Sequence, residues 1–435
     1  MARASGLEPI PILGGMTSAV FLARHWQKRP LLVRGALPGF RDPLTRDELA
    51  GLATERGVES RLVLERGGRR PWEVVRGPQD PARLRRLPRS HWTLLVEGAD
   101  AHVPALADLL DSFAFLPRWR VDDVMVSFAP PRGTVGPHLD RYDVFLLQGQ
   151  GRRRWQIDDA APETCRPGLD LQVLRSFRPT SEWVVGPGDL LYLPPGLAHY
   201  GIALEECLTY SIGFRAPRIS DLLFGCLERM ARRSDPTALY QDADVEAQDE
   251  PGEINARTID TMRGMLADAW DGALKAHLPG LVGELLTAPT SPGSVPRKRR
   301  LRREEVGSRL RRGAALVRDP ASRAAYVQKG RAADLFVDGR TYRLPASVAH
   351  AATLLTRFRR VGAKGLVPLL RRGPLLPVLA DLVNTGSYAL EPARARPAPR
   401  ATRPPSSGSR RAKRTRSRGA RPSLDGGARG GTRGA

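Results

Sequence analysis

A run of short strand-like segments between Val121 and Ala216 narrows the fold of this chain more than any other feature. VMVSF, YDVFLLQ, RRRWQI, EWVV, LLYLP and LTYSIGF are each four to eight residues long and rich in β-branched and aromatic types. Gly and Pro turn signals separate them, and no helical stretch intervenes. Strands this short at regular spacing predict an antiparallel sandwich or barrel rather than a βαβ sheet.

The flanks read differently. Residues before Asp122 mix amphipathic helix (FLARHWQ, DPLTRDELAGLA) with strand (SRLVLERGG). From Ile219 the apolar spacing lengthens to three and four residues in SDLLFGCLERMARR and TIDTMRGMLADAWDGALKAH, which predicts helices up to about Pro289. Residues 290–303 are Pro-, Ser- and Arg-rich and read as a linker. Residues 304–390 form a small module with one clear hairpin, DLFV–DG–RTYRL, turning at Asp338-Gly339. Residues 391–435 lack periodicity and are expected to be disordered. They carry 13 Lys and Arg against two acids, a large share of the formal charge of +23. A tail of that charge is expected to touch rRNA or another polyanion.

The three cysteines include no CxxC pair, which argues against a disulfide framework and for a reducing cytoplasm. No apolar run approaches the ~20 residues of a membrane helix, and no secretory signal pattern opens the chain. A soluble, cytoplasmic protein without membrane contact is expected.

The chemistry concentrates in GPHLDRYD. Strand alternation puts His138, Asp140 and Tyr142 on one face. A His and a carboxylate side by side supply two corners of a metal site. His199, in GDLLYLPPGLAHYGIAL, is the natural third, and the resulting 2-His-1-carboxylate set suits non-haem Fe(II). A His-x-Asp pair alone is more often an ordinary strand histidine; the downstream Pro-Pro-Gly-x-x-His segment is what favours a site.

In GRRRWQI, Arg153 shares a face with Trp155 and Ile157 and should point inward. A buried guanidinium needs an anion. The far carboxylate of 2-oxoglutarate and a structural Asp or Glu both remain open. In DVMVSF, Asp123, Met125 and Ser127 share a face that suits either a lined cavity or the wet side of an edge strand.

DDVMVSF, GPHLDRYDVFLLQGQGRRRWQI, GDLLYLPPGLAHYGIALE, YSIGFRAP and the N-terminal FLARHWQKRPLLVRGALPGF together resemble the bacterial ribosomal oxygenases of the JmjC/cupin superfamily. The likeness is close over most of residues 21–216 and looser beyond. It implies a mainly β catalytic domain, a double-stranded β-helix, over residues 1–216. It implies a helical dimerisation region at 217–289 and an α+β winged-helix-like domain at 304–390, hence a homodimer. It further implies Fe(II) on His138, Asp140 and His199, 2-oxoglutarate on Arg153 and Ser127, and O2 as oxidant. The substrate side chain would lie near Asp123, Met125 and Tyr142. Relatives that hydroxylate histidine lack the GRRRW run, which favours an arginine of a large-subunit ribosomal protein as the target. A histidine target, and a metal-binding cupin that contacts RNA without oxygenase activity, are the alternatives. The Arg-rich tail and the weakly matching winged-helix region depart from the family pattern, and neither is expected to touch the active site.

Overall fold

The computed structural model describes residues 8–67, 71–232, 237, 239–243, 252–289, 296–371 and 373–392. The predicted basic tail, apart from its first two residues, and the first half of the predicted linker lie outside them.

Twelve strands build the N-terminal half: β1 (Leu31–Val33), β2 (Ser60–Glu65), β3 (Trp72–Arg76), β4 (Trp92–Val96), β5 (Val121–Ala129), β6 (His138–Leu139), β7 (Asp143–Gln148), β8 (Arg153–Asp158), β9 (Ser181–Val185), β10 (Leu190–Leu193), β11 (Ala198–Ala203) and β12 (Cys207–Phe214). They form an eight-stranded sheet ordered β1-β10-β7-β12-β5-β4-β2-β3 and a four-stranded sheet ordered β6-β11-β8-β9. The pairings are antiparallel. The two sheets face one another as a double-stranded β-helix, as the run of short segments predicts.

Strand β7 shows why its sequence is apolar without a break. Val144 and Leu146 point toward the smaller sheet and pack with Trp155, Ile157 and Val185. Phe145 and Leu147 point the other way, into a core shared with Phe21 and Phe113. A strand covered on both faces has no polar side to keep. The cover on the outer face comes from the N-terminal segment. Its helix Ser18–Arg24 is capped by Thr17, whose hydroxyl accepts from Val20 N at 3.3 Å. Phe21 on that helix is fully buried, its ring 5.2 Å from Tyr192 and 5.7 Å from Phe145. Burying a side chain of that size stabilises by about 2 kcal/mol.

The helices predicted after the barrel span Ile219–Ala231 and Ala256–Thr287. The second runs through Pro279 and ends at Thr287, close to the expected limit near Pro289. The small module follows with two three-stranded sheets and its own core, including Leu316, Leu335, Leu355 and Leu379. Its hairpin pairs Ala332–Val337 with Arg340–Leu344. Asp338 (φ 49°) and Gly339 (φ 74°) both adopt left-handed backbone, as a tight primed turn requires. No helix among the described residues is long and apolar enough to cross a membrane.

Candidate active site

Strands β6 and β11 pair with His138 directly opposite His199. Their ring centroids lie 4.3 Å apart. Each ring is oriented in the same way: Nδ1 of His138 is 2.9 Å from Gly136 O, and Nδ1 of His199 is 2.9 Å from Leu197 O. A carbonyl can only accept, so each Nδ1 carries the proton and each Nε2 keeps a lone pair for a metal. Burial, and then the neighbouring His138, push the pKa of His199 down to about 4, so its ring is neutral at physiological pH.

Asp140 lies one residue past β6, where its carbonyl accepts from Gly196 N at 2.7 Å and ties it to the Pro-Pro-Gly turn. Its Oδ2 is 3.7 Å from His199 Nε2. With His199 neutral this is the separation of two ligands, not an ion pair. One atom from each of the three residues lies within 4.8 Å of the others, within reach of one ion at metal–ligand distances of ~2.1 Å. The predicted alternation is corrected in one respect. Strand β6 is two residues long, so Tyr142 is not on it. The chain bends at Arg141 and Tyr142, and Tyr142 reaches the same cavity from that bend, 42% exposed.

Arg153 points inward, 4% exposed, with Cζ 5.6 Å from the Trp155 ring and Nη2 3.6 Å from Cys207 Sγ. Among the described residues it meets no carboxylate, and its buried Nε has no acceptor. The structural ion pair left open by the sequence is therefore not present there. A buried cation without an anion is costly, by several kcal/mol, so the donor set is suited to an anionic ligand. Ser127 on β5 is buried, lines the same cavity and stands in register with Thr209 on β12. Thr209 also lines the cavity, and sequence reasoning missed it. The signal was the alternation of LTYSIGF, which sets Thr209 and Ser211 apart from the apolar Leu208, Tyr210 and Ile212.

Strand β5 lies between β12 and β4, so the edge-strand reading of Asp123, Met125 and Ser127 fails and all three line the cavity. Asp123 Oδ2 accepts from Gly98 N at 2.7 Å. Burial, and secondarily the carboxylate of Asp122, raise its pKa from 3.8 to about 7. Gly213 leaves the space beside it open: a Cβ there would lie 3.5 Å from Asp123 Oδ1 and 4.0 Å from Tyr142 Cε2.

The cavity, about 910 Å³, is lined by the His-Asp-His cluster, Arg153, Asp123 and Tyr142 together. Its outer wall corrects another expectation. Arg318 to Ala324 of the C-terminal module line it, together with Leu286 and Thr287 from the end of the long helix. The module is held there by ion pairs: Arg323 Nη2 to Asp122 Oδ1 at 2.9 Å and Arg359 Nη1 to Asp108 Oδ1 at 2.6 Å.

The sequence matches the JmjC domain over residues 108–222 and the ROXA-like winged helix over residues 267–389. It is 35% identical over 381 residues to the ribosomal protein uL16 3-hydroxylase of Escherichia coli K12, covering 85% of this chain and 97% of that protein. A probable ribosomal oxygenase of Haemophilus influenzae is 36% identical over 265 residues, 58% of this chain and 64% of that protein. The fold superposes on the Escherichia coli ribosomal oxygenase YcfD in complex with cobalt and 2-oxoglutarate, with a TM-score of 0.74, 33% identity and coverage of 86% of this chain and 98% of that one. The chain belongs to the JmjC ribosomal oxygenases, 2-oxoglutarate-dependent dioxygenases that join a cupin barrel to a ROXA-like winged helix.

Proposed function

We propose that this chain hydroxylates C3 of an arginine in the large-subunit ribosomal protein uL16, using Fe(II), 2-oxoglutarate and O2. The observation that carries the reading is the buried Arg153, which meets no carboxylate among the described residues and lines the same cavity as a three-ligand metal cluster and Asp123.

His138, Asp140 and His199 would hold the metal on one side and leave its other positions open. Iron bound there with 2-oxoglutarate would supply oxidation of an unactivated C–H bond, with succinate and CO2 as co-products. Arg153 would grip the far carboxylate of 2-oxoglutarate in a charge-assisted pair, and Ser127 would donate a second hydrogen bond. Trp155, Val144 and Leu146 surround that position with apolar surface and keep water out. At the mouth, Asp123 would accept the substrate guanidinium, with Met125 and Tyr142 flanking its alkyl chain. Fixing the guanidinium at one end points the alkyl chain inward and brings one carbon to the metal, which is the positioning contribution of the protein.

The partners follow from the same reading. Phe224 (73% exposed) and Leu266 (72% exposed) on the two helices after the barrel offer apolar surface for a homodimer. The basic tail would add salt-dependent contact with rRNA, and a ribosomal substrate places the enzyme in the cytoplasm. Incubating the full chain with a uL16 peptide, Fe(II) and 2-oxoglutarate, then locating added oxygen by mass spectrometry, tests the assignment. One oxygen on a single arginine is expected. Oxygen on a histidine would move the enzyme to the other branch of its family, and an unmodified peptide would reject the substrate.

A further inference from the structure

Several carboxylates crowd the mouth of the cavity, and their pairing is unequal. Those acting on Asp123 are Asp122, Asp100 and Glu97. Glu97 is paired with Arg61 at 2.5 Å. Asp100 is buried, and its Oδ1 accepts from Val124 N at 2.8 Å. Asp122 is held twice through one oxygen, Oδ1: by Arg215 Nε at 2.9 Å and by Arg323 Nη2 at 2.9 Å. Asp123 has Gly98 N on Oδ2, and among the described residues it pairs with no cation.

The grip on Asp122 joins separate parts of the chain. Arg215 follows β12 and donates from Nη1 to Leu286 O at 3.3 Å, near the end of the long helix. Arg323 belongs to the C-terminal module, just before its strand Ala324–Lys329, and donates from Nη1 to Val121 O at 3.1 Å. The two arginine side chains are 13% and 18% exposed and that of Asp122 is 42% exposed, so these contacts are partly open to water.

Asp122 and Asp123 are adjacent and both line the cavity. An unoccupied Asp122 would offer an incoming guanidinium a second acceptor one residue away. The wrong choice would shift the whole side chain relative to the metal.

We propose that Arg323 is a positioning residue of the substrate site: with Arg215 it occupies Asp122, so that an arginine substrate finds Asp123 as its acceptor. The winged-helix module thereby takes part in substrate registration. This rests on the reading that Asp123 receives the substrate guanidinium.

A misregistered substrate lets 2-oxoglutarate be consumed without hydroxylation, so the ratio of hydroxylated peptide to succinate is the measurement. In the full chain with an arginine peptide, Arg323→Gln should lower that ratio by about threefold or more, the size expected for coupling between contacting residues. The KM for 2-oxoglutarate should stay unchanged. Arg323→Lys, which keeps the charge, should retain most of the coupling. Adding Asp122→Asn to Arg323→Gln removes the competing negative charge and should restore the ratio. An unchanged ratio in Arg323→Gln, or a double variant as uncoupled as the single one, would overturn the proposal. If Asp123→Asn instead leaves the KM for peptide unaltered, it is the underlying reading of Asp123 that fails.

Discussion

The inner and outer ends of the cavity are held by different forces. At the inner end, main-chain pairing of β6 with β11 sets His138 opposite His199, and main-chain carbonyls orient both rings. At the outer end, side-chain ion pairs do the work, and Arg323 and Asp122 are 201 residues apart in the chain. Backbone pairing fixes geometry to fractions of an ångström and is insensitive to salt. Charge pairing between partly exposed groups is adjustable and screened. The inner end therefore sets whether the reaction occurs, and the outer end sets how well a substrate is registered for it.

The inner end should break completely. Asp140→Ala or His138→Ala removes a metal ligand from a set of three, and hydroxylated peptide should fall below detection. Neither residue belongs to a hydrophobic cluster, so circular dichroism and the melting temperature of the metal-free protein should change little. Hydroxylation persisting in both variants would remove the metal from this cluster.

Next in size is Arg153. Arg153→Met keeps much of the side-chain volume and deletes the charge, so the KM for 2-oxoglutarate should rise about 100-fold, the loss of a charge-assisted bidentate pair of about 2.7 kcal/mol. The same variant should melt no lower than the parent without ligand, because a buried cation lacking an anion is itself destabilising. A sharp fall in melting temperature with unchanged 2-oxoglutarate dependence would make Arg153 a structural residue.

The two ends also differ in how far they could be read in the sequence. The inner end lies in short segments where period-two alternation holds. Arg153 with Trp155 and Ile157, and Asp123 with Met125 and Ser127, fall on the faces that alternation assigns. His138, Asp140 and Tyr142 reach one cavity too, although Tyr142 does so through a bend that the pattern could not distinguish from a longer strand. Buried or edge position was not legible for β5, because a strand carries no mark of its neighbours; that depends on β4 and β12 pairing from either side. The outer wall was illegible for the same reason on a larger scale. Nothing in DPASRAAYV announces that Arg323 will meet Asp122, since the contact is created by docking of the module as a whole.

The smallest effect concerns the outer end and follows from the titration of Asp123. Its pKa is raised to about 7, first by burial and next by Asp122, so the fold favours the protonated form. That contribution to stability is full below the ordinary carboxylate value of 3.8 and is lost as pH rises through about 7. A guanidinium needs the opposite form. Between pH 6 and pH 8 the ionised fraction of such a group rises about tenfold, and the KM for an arginine peptide should fall by a similar factor. The substrate also replaces the interaction that ionisation removes, so the peptide should raise the melting temperature more at pH 8 than at pH 6. In Asp123→Asn both pH dependences should flatten while the KM for 2-oxoglutarate holds. A parent enzyme whose peptide KM is level from pH 6 to pH 8 would mean that Asp123 is already ionised throughout, and the outer end would then be as pre-set electrostatically as the inner end is geometrically.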